Sequence, residues 1–311
     1  MRILVVGAGA TGGYFGGRLA QSGCDVTFLV RERRAAQIAL DGLSIRSPAG
    51  DFVLATPRTV SADAIEGSYD LVLLSCKAYD LDAAIESFAP AVGAETAILP
   101  LLNGMRHLDA LDARFGAGRV LGGLCLIAAT LTDAGVIVQL NDTHTLTYGE
   151  RTGVASERVA RIAAAMDGAP FVARASDTIV QDMWEKWMFL ATLAASTCLM
   201  RAALGDILAA PGGERVIRAI LAECQEIATH NGHSPRAPFV AQAESTLTLQ
   251  GSTLTASMLR DIDRGAAIEA DQIVGDLLAR RARRDDRASG ISLLDTAYSS
   301  LKAYEARACR V

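Results

Sequence analysis

The stretch Ile3-Leu4-Val5-Val6-Gly7-Ala8-Gly9-Ala10-Thr11-Gly12 decides the fold of the first half of the chain. Four consecutive apolar residues, without alternation, describe a strand buried on both faces, as a parallel sheet covered by helices requires. The glycines that follow fit G-x-G-x-x-G. The pattern has the context that gives it meaning: a strand before it, a helix after it through about Ser22, and a second strand at Asp25–Val30. Gly7 permits the tight turn, Gly9 lets the backbone approach a pyrophosphate, and Gly12 lets helix and strand pack closely. Around Ala8, Ala10 and Thr11 the helix start presents unpaired N–H groups and a partial positive charge to phosphate. These six residues, Gly7, Ala8, Gly9, Ala10, Thr11 and Gly12, are the expected cofactor cradle.

The tip of the second strand selects the dinucleotide. A ribose with free hydroxyls is usually held there by Asp or Glu. This chain has Val30 followed by Arg31-Glu32-Arg33-Arg34, and Asp25 stands at the wrong end of the strand. An arginine grips a 2′-phosphate through charge-assisted, bidentate hydrogen bonds. Arg31 therefore points to NADP(H), with Glu32 as the residue that could turn toward a ribose and shift the preference to NAD.

Outward from this turn, short β-rich runs continue to alternate with helical stretches. A hairpin is expected at Leu43–Ile45 and Phe52–Leu54, with buried strands at Leu71–Ser75 and Ala97–Leu102. Further strands are expected at Val120–Thr130, Val136–Leu140 and Leu146–Tyr148, a helix around Ala155–Met166 and a short strand at Phe171–Ala173. From Ser176 the texture becomes helical, over about 177–201, 213–230, 237–250, 252–280 and 291–308, with Ser176 as the N-cap of the first and glycines, Gly265 and Gly290 among them, as punctuation. The expected fold class is an α/β Rossmann N-terminal domain over 1–175, binding NADP, plus an all-α C-terminal domain over 176–311 carrying substrate and catalysis. A chain of 311 residues suits two domains of roughly 100–200 residues each.

In open α/β sheets, ligands sit beyond the carboxyl ends of the strands. Lys77, within Ser-Cys-Lys-Ala-Tyr-Asp, follows one strand. Asn103, within Leu-Leu-Asn-Gly-Met, follows another. Either could touch nicotinamide ribose or substrate; the ordinary alternatives are a surface lysine and an Asn-Gly turn. On the helix from 177, Ile179, Met183, Trp187, Leu190 and Ala194 form an apolar stripe, and Lys186 projects toward it. Glu269 shares a helical face with Ile262, Ala266 and Ile273 provided Gly265 does not break that helix. Charged groups leaning on apolar surface are costly unless paired or facing a cleft. A partly desolvated lysine suits proton donation near neutral pH, while a snorkelling lysine and an edge glutamate are the plainer readings.

Composition narrows the class. A net charge of −5 argues against a general nucleic-acid binder, and the charged run Arg280–Arg287 is mixed in sign, as a solvated helix end is. Six scattered cysteines, none in C-x-x-C, read as reduced, mostly buried thiols. His230 and His233 lack a third ligand, so no metal is expected. With no secretory signal and no apolar run near the roughly 20 residues of a membrane span, a cytoplasmic protein without a membrane partner is expected, and a homodimer is left open.

Taken in order, the Gly7–Gly12 loop, Lys77 in Cys-Lys-Ala-Tyr-Asp, Asn103 in Leu-Leu-Asn-Gly-Met, Trp184-Glu-Lys186-Trp, and Ser257-Met-Leu-Arg-Asp-Ile with Glu269 twelve residues on resemble the ketopantoate reductase family over essentially the whole chain. The resemblance implies a two-domain oxidoreductase with its active site in the cleft between domains. It implies transfer of hydride from NADPH to a 2-oxo acid, giving a D-2-hydroxy acid: 2-dehydropantoate to pantoate, in pantothenate biosynthesis. By position it makes Lys186 the general acid and a substrate contact, and Glu269 a cofactor contact that orients the lysine. It makes Arg31, Lys77, Asn103 and Ala129 cofactor contacts, Asn103 also a substrate contact, and Ser257 a substrate contact. The chain departs from the family pattern where substrate-holding asparagines stand four and eight residues after the lysine. Here these are Leu190 and Ala194, and a later one is replaced around Leu204. That departure keeps two alternatives open: a related NADP-dependent reductase of a bulkier or less polar carbonyl substrate, and a non-catalytic NADP(H)-binding regulator.

Overall fold

The structure is a computed structural model and describes residues 1–282 and 292–310. The chain divides into two compact units. One comprises Met1–Leu102 and His107–Val180. The other comprises Asn103–Arg106 and the chain from Gln181 onward.

The first unit opens with β1 (Arg2–Val6), α1 (Ala10–Gln21), β2 (Asp25–Leu29), α2 (Glu32–Asp41), β3 (Leu43–Arg46), β4 (Phe52–Leu54), β5 (Arg58–Val60), β6 (Leu71–Leu74), α3 (Leu81–Phe88) and β7 (Ala97–Pro100). Its parallel sheet has the order β5-β2-β1-β6-β7. The chain steps outward from β1 to β2 to β5, then returns to lay β6 on the other side of β1. The direction of winding reverses between β1 and β6, which is where such sheets bind ligands. The unalternating runs explain the layer: Ile3, Leu4 and Val5, Leu71 through Leu74, and Ile98 and Leu99 are all fully buried.

After α4 (Arg106–Phe115), a second sheet forms from β8 (Gly122–Leu131), β9 (Ile137–Gly149) and β10 (Val172–Ala175), with α5 (Glu157–Met166) before the last. Its order is β10-β9-β3-β4, with β8 antiparallel to β9. β9 is one strand of 13 residues, not two, because Asn141-Asp142-Thr143 lies on an exposed stretch whose polar side chains mimic a turn. The short edge strand β5 has no apolar run to announce it.

The second half is helical: α6 (Ile179–Met200), α7 (Leu204–Ala209), α8 (Gly213–His230), α9 (Ala237–Leu247), α10 (Ser257–Asp263), a π-helical turn (Asp271–Gly275) running into α11 (Asp276–Ala279), and α12 (Leu293–Ala308). Ser176 is not the cap of α6. Its hydroxyl accepts from the Thr178 N–H at 3.2 Å and turns the chain three residues before the helix begins. Gly265, at φ +68°, does break the expected 252–280 helix, so Glu269 lies on irregular backbone immediately before the π turn. Of the charged run, Arg280 and Arg281 pair with Asp276 and Asp295 at 3.3 and 2.8 Å; residues 283–291, Gly290 included, lie outside the described residues. Cys125, Cys198 and Cys224 are buried as expected, and burial pushes the last two up to about 12; Cys309 is exposed. Among the described residues, no helix is long and apolar enough to cross a membrane.

Candidate functional site

The glycine turn is built by backbone. Gly7 adopts φ +93°, a conformation side chains resist, and its N–H donates to Leu29 O at 3.0 Å. A Cβ on Gly12 would stand 2.0 Å from the Ser75 hydroxyl and 2.3 Å from Gly7 O, so only glycine allows α1 to close on this turn. Ser75, at the end of β6, donates to Val6 O at 2.9 Å and buttresses the loop across the reversal point. A Cβ on Gly9 would project into open space, and α1 starts there with no capping side chain and no acidic residue in its first turn. Free amides, an uncompensated dipole and unobstructed approach are what a pyrophosphate needs. The turn fits a dinucleotide.

Arg31 stands just beyond β2, immediately ahead of α2, largely exposed, with Nη2 2.7 Å from Asp80 Oδ1. The hydrogen bond and charge of Asp80 raise its pKa. Glu32 is exposed on the first turn of α2. Lys77 is half-buried after β6, and its carbonyl accepts from the Asp80 N–H at 2.9 Å. Sequence reading missed two members of this neighbourhood. Asp80 holds Arg31. Arg34 is half-buried and donates from Nε to Ala8 O at 3.0 Å and from Nη1 to Gly135 O at 3.1 Å, tying the cradle to the β8–β9 connection. Ala129 lies half-buried on β8, where the ladder resumes after a bulge opposite β9.

In the second unit the structure joins two candidates that are 83 residues apart: Lys186 Nζ donates to Asn103 Oδ1 at 2.9 Å. The setting is specific. From 182 to 198, α6 is buried at every position except Lys186, Phe189 and Leu190. Spaced i, i+3 and i+4, these three share one face. A single cation therefore stands beside apolar side chains at the one opening between 182 and 198. Leu190, where the family pattern has asparagine, belongs to that opening. Ala194 and Leu204 are closed within the core, at 3% and 0% exposure, so the replacement that meets the outside is Leu190 alone.

The helix is fixed by partners on its other faces. Arg236 donates to the Glu185 carboxylate, from Nε at 2.9 Å, and pairs with Asp182. Burial pushes Glu185 up, but the hydrogen bonds from Arg236 outweigh it and hold the carboxyl below its ordinary range. Trp187 Nε1 donates to Ile273 O in the π turn at 2.9 Å. Gln272 Nε2 donates to Asn103 O at 2.7 Å. Glu269 is half-buried, three residues before Gln272, and its carbonyl accepts from Ile273 N–H at 3.0 Å. Ser257 is exposed on the first turn of α10. His233 stacks on Trp184 at 5.2 Å, a packing role.

A dinucleotide turn in an α/β unit and a lysine–amide pair in a helical unit define a nicotinamide-dependent oxidoreductase. Residues 3–153 match the family described as Ketopantoate reductase PanE/ApbA, and residues 178–305 match its C-terminal domain. The chain is 37% identical over 306 residues to the Bacillus subtilis protein named Uncharacterized oxidoreductase YkpB, covering 98% of this chain and 99% of that one. It is 28% identical over 289 residues to the 2-dehydropantoate 2-reductase of Halobacterium salinarum, covering 92% and 93%. The crystal structure of 2-dehydropantoate 2-reductase from Geobacter metallireducens superposes with a TM-score of 0.86 at 28% identity, covering 97% and 99%. The chain belongs to the ketopantoate reductase family, whose members are NAD(P)H-dependent oxidoreductases acting on CH–OH groups.

Proposed function

We propose that the protein reduces a 2-oxo acid to the D-2-hydroxy acid with NADPH, with 2-dehydropantoate as the first candidate substrate and pantothenate biosynthesis as the corresponding role. The observation that carries this reading is the Lys186–Asn103 pair at the opening in α6. The Gly7–Gly12 cradle would hold the pyrophosphate of the dinucleotide, which when bound would supply hydride to the keto carbon. As charge builds on the keto oxygen, Lys186 Nζ donates a proton to it, and its positive charge stabilises the developing alkoxide. Asn103 Oδ1 fixes the ammonium so that an N–H is aimed before reaction. Lys77 and Ala129 contact the cofactor, Glu269 contacts cofactor and lysine, and Asn103 and Ser257 contact substrate. Arg31 selects NADPH by exchanging Asp80 for the 2′-phosphate, a trade its exposed position permits.

Leu190 supports a second reading. One helical turn past Lys186, its half-buried side chain offers apolar contact where a hydroxyl-bearing substrate would want an amide. A 2-oxo acid with a larger apolar side chain fits such a wall better than 2-dehydropantoate. A regulator without turnover has no use for an aimed ammonium. NADPH oxidation measured with 2-dehydropantoate, pyruvate and phenylpyruvate tests all three readings. Preference for 2-dehydropantoate supports the first, preference for phenylpyruvate the second. No turnover of any 2-oxo acid would overturn the enzymatic reading.

A further inference from the structure

We infer that Gln272 is a positioning residue for the proton donor, acting through the backbone of Asn103; the inference rests on the reading of Lys186 as that donor. Asn103–Arg106 is a four-residue segment from the first half of the chain that belongs to the helical unit, and the π turn hydrogen-bonds it there. Gln272 Nε2 donates to Asn103 O at 2.7 Å across 169 residues of sequence, from a side chain that is only 4% exposed. Gly104, at φ +77°, lets the loop lie flat on the turn: a Cβ there would stand 2.7 Å from Gln272 O. The same turn accepts the Trp187 indole N–H through Ile273 O, one residue past Lys186 on α6.

The π turn therefore grips both members of the lysine–amide pair, Asn103 through its carbonyl and α6 through Trp187. Its geometry is what puts the two grips side by side. Asp276 N–H donates to Asp271 O, an i→i−5 bond, and such turns are rare and concentrate at functional sites. A side chain that must present its carbonyl oxygen within hydrogen-bond reach of an ammonium needs its own backbone fixed, and a part-buried amide–carbonyl bond at 2.7 Å does that. The charged groups on the neighbouring segments are Asp182 and Glu185, both held by Arg236, Glu269 ahead of the turn, Asp271 within it paired with Lys302, Asp276 after it paired with Arg280, and Arg106 at the end of the loop. The variants below leave all of them in place.

The chain has only three lysines, Lys77, Lys186 and Lys302, so the side-chain Cε resonances of 13C-lysine-labelled protein resolve the titration of each. Losing the Asn103 acceptor disfavours the charged ammonium, so Asn103→Ala is expected to move the Lys186 midpoint to lower pH and to set the largest shift available. Gln272→Met, which keeps the volume and removes the donor, and Gly104→Ala, which pushes the loop off the turn, are each expected to move Lys186 the same way by part of that amount. The Lys77 midpoint stays still, and kcat falls about tenfold with the NADPH KM unchanged. A Lys186 midpoint identical to the parent in both Gln272→Met and Gly104→Ala, or in Asn103→Ala itself, overturns the inference. If the midpoint moves while Lys186→Ala retains parental turnover, the coupling stands and it is the proton-donor reading that fails.

Discussion

The glycine turn and the lysine opening are both built from a few residues, yet they work by opposite means. At the turn, function is carried by what is missing: Cβ atoms absent from Gly9 and Gly12, and amides left unpaired at the start of α1. The requirement is local, so it is written in adjacent residues. At the opening, function is carried by side chains that reach across the fold, Lys186 to Asn103 and Gln272 to Asn103. Backbone sites tolerate little variation at few positions; side-chain sites spread their requirements over many.

Four experiments bear on that contrast. The largest effect is expected from Lys186→Ala, which should lower kcat about a thousandfold in stopped-flow assays while leaving NADPH affinity within about twofold. Loss of cofactor binding in this variant would collapse the two regions into one. Next, Gly12→Ala forces a Cβ into Ser75 and Gly7 and should weaken NADPH binding about 10- to 100-fold by calorimetry, with helical circular dichroism retained. Parental affinity would show that the turn has slack.

Arg236→Leu strands Asp182 and Glu185 in the interior. Allowing for the half-exposed guanidinium, it should cost about 2 kcal/mol, read as a fall of several degrees in Tm. The pH dependence fixes the sign. In the parent the depressed Glu185 contributes stability above the ordinary carboxyl range and loses it as pH falls through its lowered pKa. Without Arg236, burial acts on Glu185 against only the Gln181 hydrogen bond, its pKa rises, and protonation becomes stabilising, so the acid limb of the Tm profile should flatten or invert. The smallest effect is expected at the cofactor's far end. Arg31→Ala should weaken NADPH about tenfold and NADH less than about twofold, because the arginine is exposed and already shared with Asp80. Equal losses for both dinucleotides would remove the 2′-phosphate from its role.

The same contrast explains what could be read from the sequence. The parallel sheet and the glycine cradle were legible because burial on both faces leaves an unalternating signature and because the turn's demands fall at fixed spacing. Lys186 and Asn103 each stood out as polar residues in suggestive places, but nothing local says that they meet. A helical face for Glu269 depends on Gly265, which in the fold interrupts the helix, and a glycine's φ is invisible to periodicity. Ser75, Arg34 and Gln272 have no signature: a serine ending a strand, an arginine on a helix and a glutamine before a run of aliphatics are ordinary until the chain folds. The family likeness supplied an expectation of asparagine at 190 and 194, and only the burial pattern separates them, Leu190 facing outward and Ala194 sealed.

The turn at Asp271–Gly275 contains one residue more than an ordinary helix would use. Excising any one of the five lets the hydrogen-bonding ladder close as a regular helix, with no loss of secondary structure. The residues downstream would keep their faces, Leu277 still toward the core, and what would be lost is the widened turn that presents Gln272 to Asn103 and Ile273 O to Trp187. Length changes are usually absorbed by loops. Here a single-residue gap would fall inside a helix, and a chain that carried it would lose this arrangement while keeping the helix.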